Sequence, residues 1–424
     1  MRERSEIMNK AKKLPLPIGS TDYRKICDQY YYVDKTLMLK DILDDSSSFV
    51  LFTRPRRFGK TLNMDMLRTF FEKTDEDTSR YFKDKKIWAQ GEEYTCHQGK
   101  YPVIFLSFKD AKQNTWEEMY AEIQETIKDE FYRHYELKDS EKVKDKAYFQ
   151  SILNGKASKA ELGKSILRLS EMLRQHYGQK VVLLIDEYDT PIQSGHAYNF
   201  YDDVINFMRN MLSAGLKDNN NIAFGILTGI LRVAKESIFS GLNNIRVYSV
   251  LDKKYSSYFG FTNAEVEDMA LYYEKEDKVP EVKEWYDGYI FGETEIFNPW
   301  SVLNYFANDC LAMPYWVQTS ENFVVYDLLN CLNTEIFQKL NELVSGKIVT
   351  SIVETNVVYP EIKNRAENIF AFLLMTGYLK AVRTTLTPFG DRECELSIPN
   401  KELTNVYYKE ILNRLSDRRE TIRC

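Results

Sequence analysis

An α/β fold built on a parallel sheet is what this sequence predicts, and three features carry the prediction. Short apolar stretches alternate with segments of helical periodicity up to about residue 261. One of them, 181–185, is apolar at every position, the pattern of a strand covered on both faces. Two of the stretches, moreover, end in polar motifs, and the carboxyl edge of such a sheet is where ligands bind.

Taken in order, residues 1–13 are polar and expected to fray, and an N-terminal segment runs to residue 45. It holds the run Tyr30-Tyr31-Tyr32-Val33-Asp34-Lys35-Thr36 and a short amphipathic helix. A core spans 46–260, with strands at 48–53, 103–108, 181–185 and 222–230 and a further candidate at 246–251. Its helices are expected at 60–73, 116–134, 160–177 and 200–216, the second and third with apolar residues at i, i+3 and i+4. A solvated charge run fills 138–146. The character then changes: 261–345 reads as a mainly helical lid with an aromatic loop at 285–289. From 346 to 424 a strand-like stretch (348–358), a helix (366–379), an alternating segment (394–398) and a final helix suit a winged-helix-like unit.

Composition bounds the function classes. The chain of 424 residues is long enough for two or three compact units. Its 44% hydrophobic and 28% charged residues are ordinary for a globular protein, and 29 tyrosines place many half-polar rings in and around the core. A net charge of −6 gives no global pull towards nucleic acid. Six cysteines without a CxxC pair, beside four histidines, argue against a zinc framework and for free thiols in a reducing compartment. The charged N-terminus is followed by no apolar h-region, and no apolar run is long enough to span a bilayer. A cytoplasmic protein with no membrane partner is expected.

The first polar motif is Thr53-Arg54-Pro55-Arg56-Arg57-Phe58-Gly59-Lys60-Thr61-Leu62, between a strand and a helix. That context is the one a phosphate-binding P-loop requires. Gly59 allows close backbone approach, the first helical N–H groups face the anion, Lys60 reaches the β- and γ-phosphates, and Thr61 ligates magnesium. Against the pattern GxxxxGK[ST], Arg54 stands where glycine is usual. The bland alternative is a basic strand-to-helix turn. Arginine lacks glycine's freedom at positive φ, although Arg54, Arg56 and Arg57 add charge.

The second motif is Asp186-Glu187 at the end of 181–185, a Walker B pattern. Asp186 would hold magnesium and Glu187 would orient and deprotonate the attacking water. A strand that merely ends in polar residues is the plain alternative, and the P-loop candidate on a neighbouring strand weakens it. Thr228, at the end of 222–230, could sit between these carboxylates and sense the γ-phosphate, although such a residue taken alone is more often just a strand-end threonine. Arg232 and Lys235 follow, and either could neutralise developing phosphoryl charge, although most such residues are surface ion-pair partners.

These segments resemble the AAA-ATPase-like proteins of bacteria and archaea, which often carry a PD-(D/E)xK-type nuclease domain at the C-terminus. The likeness rests on Tyr32-Val33-Asp34-Lys35-Thr36, Arg54-Pro55-Arg56-Arg57-Phe58-Gly59-Lys60-Thr61, Leu184-Ile185-Asp186-Glu187-Tyr188-Asp189-Thr190-Pro191 and Leu227-Thr228-Gly229-Ile230-Leu231-Arg232. It continues through Trp285-Tyr286-Asp287-Gly288-Tyr289 and Asn298-Pro299-Trp300-Ser301. The resemblance implies that Arg54 is a family trait. It also implies a P-loop NTPase core of the additional-strand catalytic-glutamate type, a helical lid in which Asn298 and Pro299 contact nucleotide, and a winged-helix-like unit. An aromatic-capped turn explains Asn298-Pro299 about equally well. Beyond Pro388, neither Arg392-Glu393-Cys394-Glu395 nor Lys401-Glu402 makes the Asp and Glu-x-Lys set that such a nuclease needs. The chain is therefore expected to lack it, either as a truncated product or as an ATPase-only member.

Two functions are set against each other. One is an ATPase using ATP and Mg2+, acting as a molecular switch with Glu187 as base. The other is a nucleotide-binding regulatory or DNA-binding module with little turnover. A nucleic-acid or protein partner and an oligomer are both left open by the sequence.

Overall fold

The computed structural model describes residues 13–233, 245–316, 334–357 and 359–408. Among them, five strands form one parallel sheet: β1 (Phe49–Thr53), β2 (Val103–Ser107), β3 (Val181–Asp186), β4 (Ile222–Gly229) and β6 (Ile245–Tyr248). Their order is β2-β3-β4-β1-β6, so β4 lies between the strands that carry the two polar motifs. Every residue of β1 and of β3 is buried, because helices cover both faces. β6 ends early, where the Ser249 N–H and hydroxyl both donate to Asp252 at 2.7 Å.

The edge at β2 is closed by side chains. The buried carboxylate of Glu130, on helix Trp116–Arg133, accepts from the Phe105 N–H at 2.8 Å, and Arg133 and His134 meet the Val103 carbonyl. An unpaired edge is thus denied to other chains.

Several expected elements are divided or displaced. The helix predicted at 160–177 is two, Lys159–Leu162 and Ser165–Tyr177. A capping box between Ser158 and Glu161 starts the first, and Gly163 ends it. Helices Lys146–Leu153 and Thr190–Ala197 were not foreseen. The 285–289 loop leads into a hairpin, β7 (Tyr289–Phe291) with β8 (Thr294–Ile296), inside a region read as helical. The predicted strand at 348–358 becomes β9 (Val349–Ile352) and β10 (Asn356–Val357), which join different sheets. β10 pairs in parallel with a two-residue strand, β5 (Arg232–Val233). β9 lies beside β12 (Arg392–Ser397), which pairs with β11 (Lys380–Leu386).

The helix expected at 366–379 spans Ala366–Met375 and stops before Gly377, whose φ of 86° reverses the chain. All of its residues from Ile369 to Met375 are buried. A helix that reads DNA must present one face to a groove, and from Ile369 onward this one presents none. Among the described residues no helix is long and apolar enough to cross a membrane.

The helix Pro299–Ala307 is joined to the C-terminal elements by one buried carboxylate. Glu402 accepts from the Ser301 hydroxyl at 2.8 Å and from the Trp316 N–H at 2.7 Å. Burial pushes this carboxyl up to about 7, against the pull of those donors and of Arg57. Between its usual 4.5 and about 7 the folded chain keeps a proton that the unfolded chain has lost. Its stabilising contribution is therefore fully present below the lower value and is lost as pH rises through the higher one. Unfolding free energies from urea titrations should fall across that window by up to about 1.4 kcal/mol per pH unit from this group. Glu402→Gln, which can still accept from Trp316 and donate to Ser301, should flatten that slope.

Candidate functional site

The strand-to-helix turn after β1 is built differently from the expectation. The Arg54 N–H donates to the Gly229 carbonyl at 3.0 Å, so Arg54 extends the β1–β4 ladder. Its φ is not positive; the left-handed positions of the turn are Arg57 at 69° and Gly59 at 83°. No glycine is needed at residue 54, and the concern over its missing freedom is removed. The guanidinium is fully buried and turned away from the turn, donating to the carbonyls of Thr53 (2.9 Å) and Tyr248 (2.8 Å). It lies over the rings of Phe259 and Phe291, at 5.1 and 5.4 Å from their centres. The Arg54 side chain is therefore committed to Thr53, Tyr248 and these rings, and it anchors the base of the turn.

Phe58 anchors the other limb, packed on Tyr289 and Phe291 of the hairpin. Between the anchors, the Lys60 ammonium donates to the carbonyls of Arg54 (3.2 Å) and Pro55 (3.0 Å). Burial lowers its pKa, opposed by Glu187 and Asp186. Arg56 donates to Gln193 at 2.9 Å, and Arg57 lies 4.4 Å from the centre of the Trp300 ring.

The two motifs meet at the start of helix Lys60–Phe71. The Thr61 hydroxyl donates to Asp186 Oδ2 at 2.7 Å, and the Thr228 hydroxyl donates to Asp186 Oδ1 at 2.6 Å. Ser107, at the end of β2, stands 3.4 Å from Oδ2. Asp186 is fully buried, and burial together with Glu187 raises its pKa. Thr228 also accepts the Glu187 backbone N–H at 3.1 Å, so one hydroxyl ties the Asp186 carboxylate to the Glu187 main chain. Glu187 itself has a φ of 53°, a rarely populated backbone for a non-glycine residue. Its side chain accepts from Thr190 at 3.3 Å.

A cavity of about 320 Å³ opens over this junction. Arg57, Phe58, Gly59, Lys60, Thr61, Leu62 and Glu187 line it, and so does Pro299. Asp186 and Thr228 lie beneath it, and Arg54, Pro55 and Arg56 are not on its wall. Asn298 is buried behind it, where its side chain accepts the Ser301 N–H at 3.2 Å and caps the helix. Arg232 is half-buried in β5 and does not reach the cavity wall, and Lys235 lies outside the described residues.

Sequence reasoning missed part of the wall. Pro17, Tyr31, Val33 and Lys35 of the N-terminal segment line the cavity together with the start of helix Lys60–Phe71. Lys35 is buried in an ion pair with Glu265 at 2.6 Å and also donates to the Ser257 carbonyl at 2.7 Å. Glu265 belongs to the capping box of helix Asn263–Tyr272. The aromatic run around Tyr31 was the available signal. The donor set suits a magnesium nucleotide: two hard oxygens on Thr61 and Asp186, with an ammonium and helical N–H groups alongside. Among the described residues no cluster of three or more His, Cys, Asp or Glu forms a metal cage, and magnesium shared with phosphates requires none.

Residues 17–239 match the family model AAA-ATPase-like, described as a predicted AAA-ATPase. The chain is also similar to an uncharacterised protein in the vnfD 5' region of Azotobacter chroococcum mcd 1, with 29% identity over 327 residues. That match covers 74% of this chain but 56% of the relative, so the chain spans little more than half of the relative's length.

The Arg54 geometry gives a prediction opposite to the one motif comparison would suggest. Arg54→Gly, which restores the usual glycine, should destabilise the fold by about 2 kcal/mol or more, because it leaves a cavity and two unpaired carbonyls. Chemical denaturation checks it, and a midpoint equal to that of the wild type would show that the guanidinium anchors nothing.

Proposed function

Because this chain belongs to the AAA-ATPase-like family, we propose that its cavity binds ATP with magnesium and that the chain hydrolyses it as a molecular switch. One observation carries the reading: Thr61 and Asp186, 125 residues apart, are in direct contact at 2.7 Å beneath a cavity that Lys60 and Glu187 also line.

In this reading the core is of the additional-strand catalytic-glutamate type, with β4 as the inserted strand. Gly59 and the first N–H groups of helix Lys60–Phe71 receive the phosphates, where the helix dipole favours negative charge. Lys60 leaves the carbonyls of Arg54 and Pro55 for the β- and γ-phosphate oxygens. Thr61 and Asp186 hold the magnesium ion, which when bound offsets charge on the phosphoryl oxygens. Glu187 accepts the proton of the attacking water. Thr228 keeps the two carboxylates in register, since its hydroxyl proton already goes to Asp186. The base and ribose lie towards Tyr31, Val33 and Trp300, and Pro299 borders the same space.

A second reading, nucleotide binding with little turnover, is favoured by the placement of Arg232. A cation on the transferring phosphoryl group speeds such reactions, and Arg232 is away from the cavity wall. Turnover separates the two. Glu187→Gln should lower kcat by about 10²-fold or more while ATP affinity is kept. Lys60→Ala should weaken ATP binding by about tenfold or more, and EDTA should abolish turnover. Equal, negligible turnover in wild type and Glu187→Gln would leave the regulatory reading, and tight ATP binding by Lys60→Ala would sink the proposed phosphate site.

A further inference from the structure

The two residues that follow Glu187 do work that the reading above leaves unassigned. Tyr188 is fully buried, and its N–H donates to the Thr228 carbonyl at 3.0 Å. Its hydroxyl donates to the Leu231 carbonyl at 2.7 Å and accepts the Val233 N–H at 3.0 Å. Asp189 stands at the N-cap of helix Thr190–Ala197 but makes no side-chain bond to that helix. Its Oδ2 instead accepts the N–H groups of Ile230 (2.9 Å) and Leu231 (3.0 Å). Its Oδ1 is buried without a hydrogen-bond partner.

Both side chains therefore grip one segment, residues 228–233. The grip is tight: a Cβ on Gly229 would lie 2.7 Å from the Tyr188 ring and 2.8 Å from Asp189 Oδ1. The segment begins at Thr228, which bonds Asp186 and Glu187, and ends in β5, which pairs with β10. A buried aspartate that ignores its own helix to bind the neighbouring strand's turn costs desolvation, so the contact it makes there is specific.

We propose that Tyr188 and Asp189 are positioning residues of the hydrolytic step. They fix the 228–233 segment to the end of β3 and thereby couple the carboxylate site to β10 in the C-terminal part of the chain. The proposal rests on the hydrolytic reading above for its kinetic arm, and on backbone pairing alone for its structural arm. Tyr188→Phe removes the hydroxyl and keeps the ring against Gly229. Asp189→Ala removes the acceptor, and Asp189→Asn keeps one oxygen for both amides.

The test measures ATP turnover, ATP affinity and amide hydrogen exchange on the full chain. Tyr188→Phe and Asp189→Ala should lower kcat by about tenfold or more, since small misplacements of catalytic groups cost that much. ATP affinity should stay within about threefold of the wild type, and Asp189→Asn should recover most of kcat. Exchange at 231–233 and at 356–357 should quicken together in Tyr188→Phe. Unchanged kcat in both variants, with Glu187→Gln inactive, overturns the proposal and leaves the hydrolytic reading standing. Affinity that falls in step with kcat overturns it too. If wild type and Glu187→Gln turn over equally little, the hydrolytic reading fails, and unchanged exchange at 356–357 in Tyr188→Phe then overturns the coupling as well.

Discussion

A buried carboxylate must be bonded by donors or meet a cation, and Asp186 meets that demand by drawing three elements together. Thr61 reaches it from the helix after β1, Thr228 from β4 and Ser107 from the end of β2. They converge in a sheet whose order puts β4 between β1 and β3, with β2 beyond β3. The order of the sheet and the bonding of this one side chain are thus mutually consistent. Glu187 is tied into the same arrangement, because its backbone N–H is held by the Thr228 hydroxyl that also serves Asp186.

The turn that faces this carboxylate does not hold its shape alone. A loop that holds the non-glycine residue Arg57 at a φ of 69° carries strain that its surroundings must offset. Arg54 is locked below by Thr53 and Tyr248, and Phe58 is locked above by the β7–β8 hairpin. The C-terminal elements press on it as well, since Gly377, at a φ of 86°, leaves room for Pro55, and a Cβ there would approach the proline to 3.0 Å. The strand-to-helix turn after β1 is therefore a junction among core, hairpin and C-terminal elements.

How much of this could be read from the residues follows from which contacts are local. The parallel sheet was legible because strands such as 181–185 are apolar throughout, a local signal. The meeting of Thr61 with Asp186 followed from placing both motifs at one sheet edge. The β7–β8 hairpin was not legible: what fixes it is the packing of Phe58 on Tyr289 and Phe291, which lie far away in sequence. Lys35 escaped notice as part of the cavity wall for the same reason, since its partner Glu265 is 230 residues on. Arg54 was misjudged because a pattern position was treated as a conformation; its N–H belongs to the sheet ladder. The expected helix at 160–177 failed at Gly163, where a capping box close by outweighed the continuing apolar period.

The C-terminal part of the chain touches the site along two routes that are independent in sequence. One runs from Gly377 to Pro55, and the other from β10 to β5 and on to Thr228. The helix Ala366–Met375 is meanwhile buried from Ile369 to its end, so its apolar residues are spent on the protein's own interior. A groove-reading helix would need the reverse distribution, polar and exposed along one face. The packing of this region is thus directed inward, towards the turn that carries Lys60 and the strand end that carries Thr228. A change in the spacing between those two would load the Gly377–Pro55 contact and the β10–β5 pairing directly.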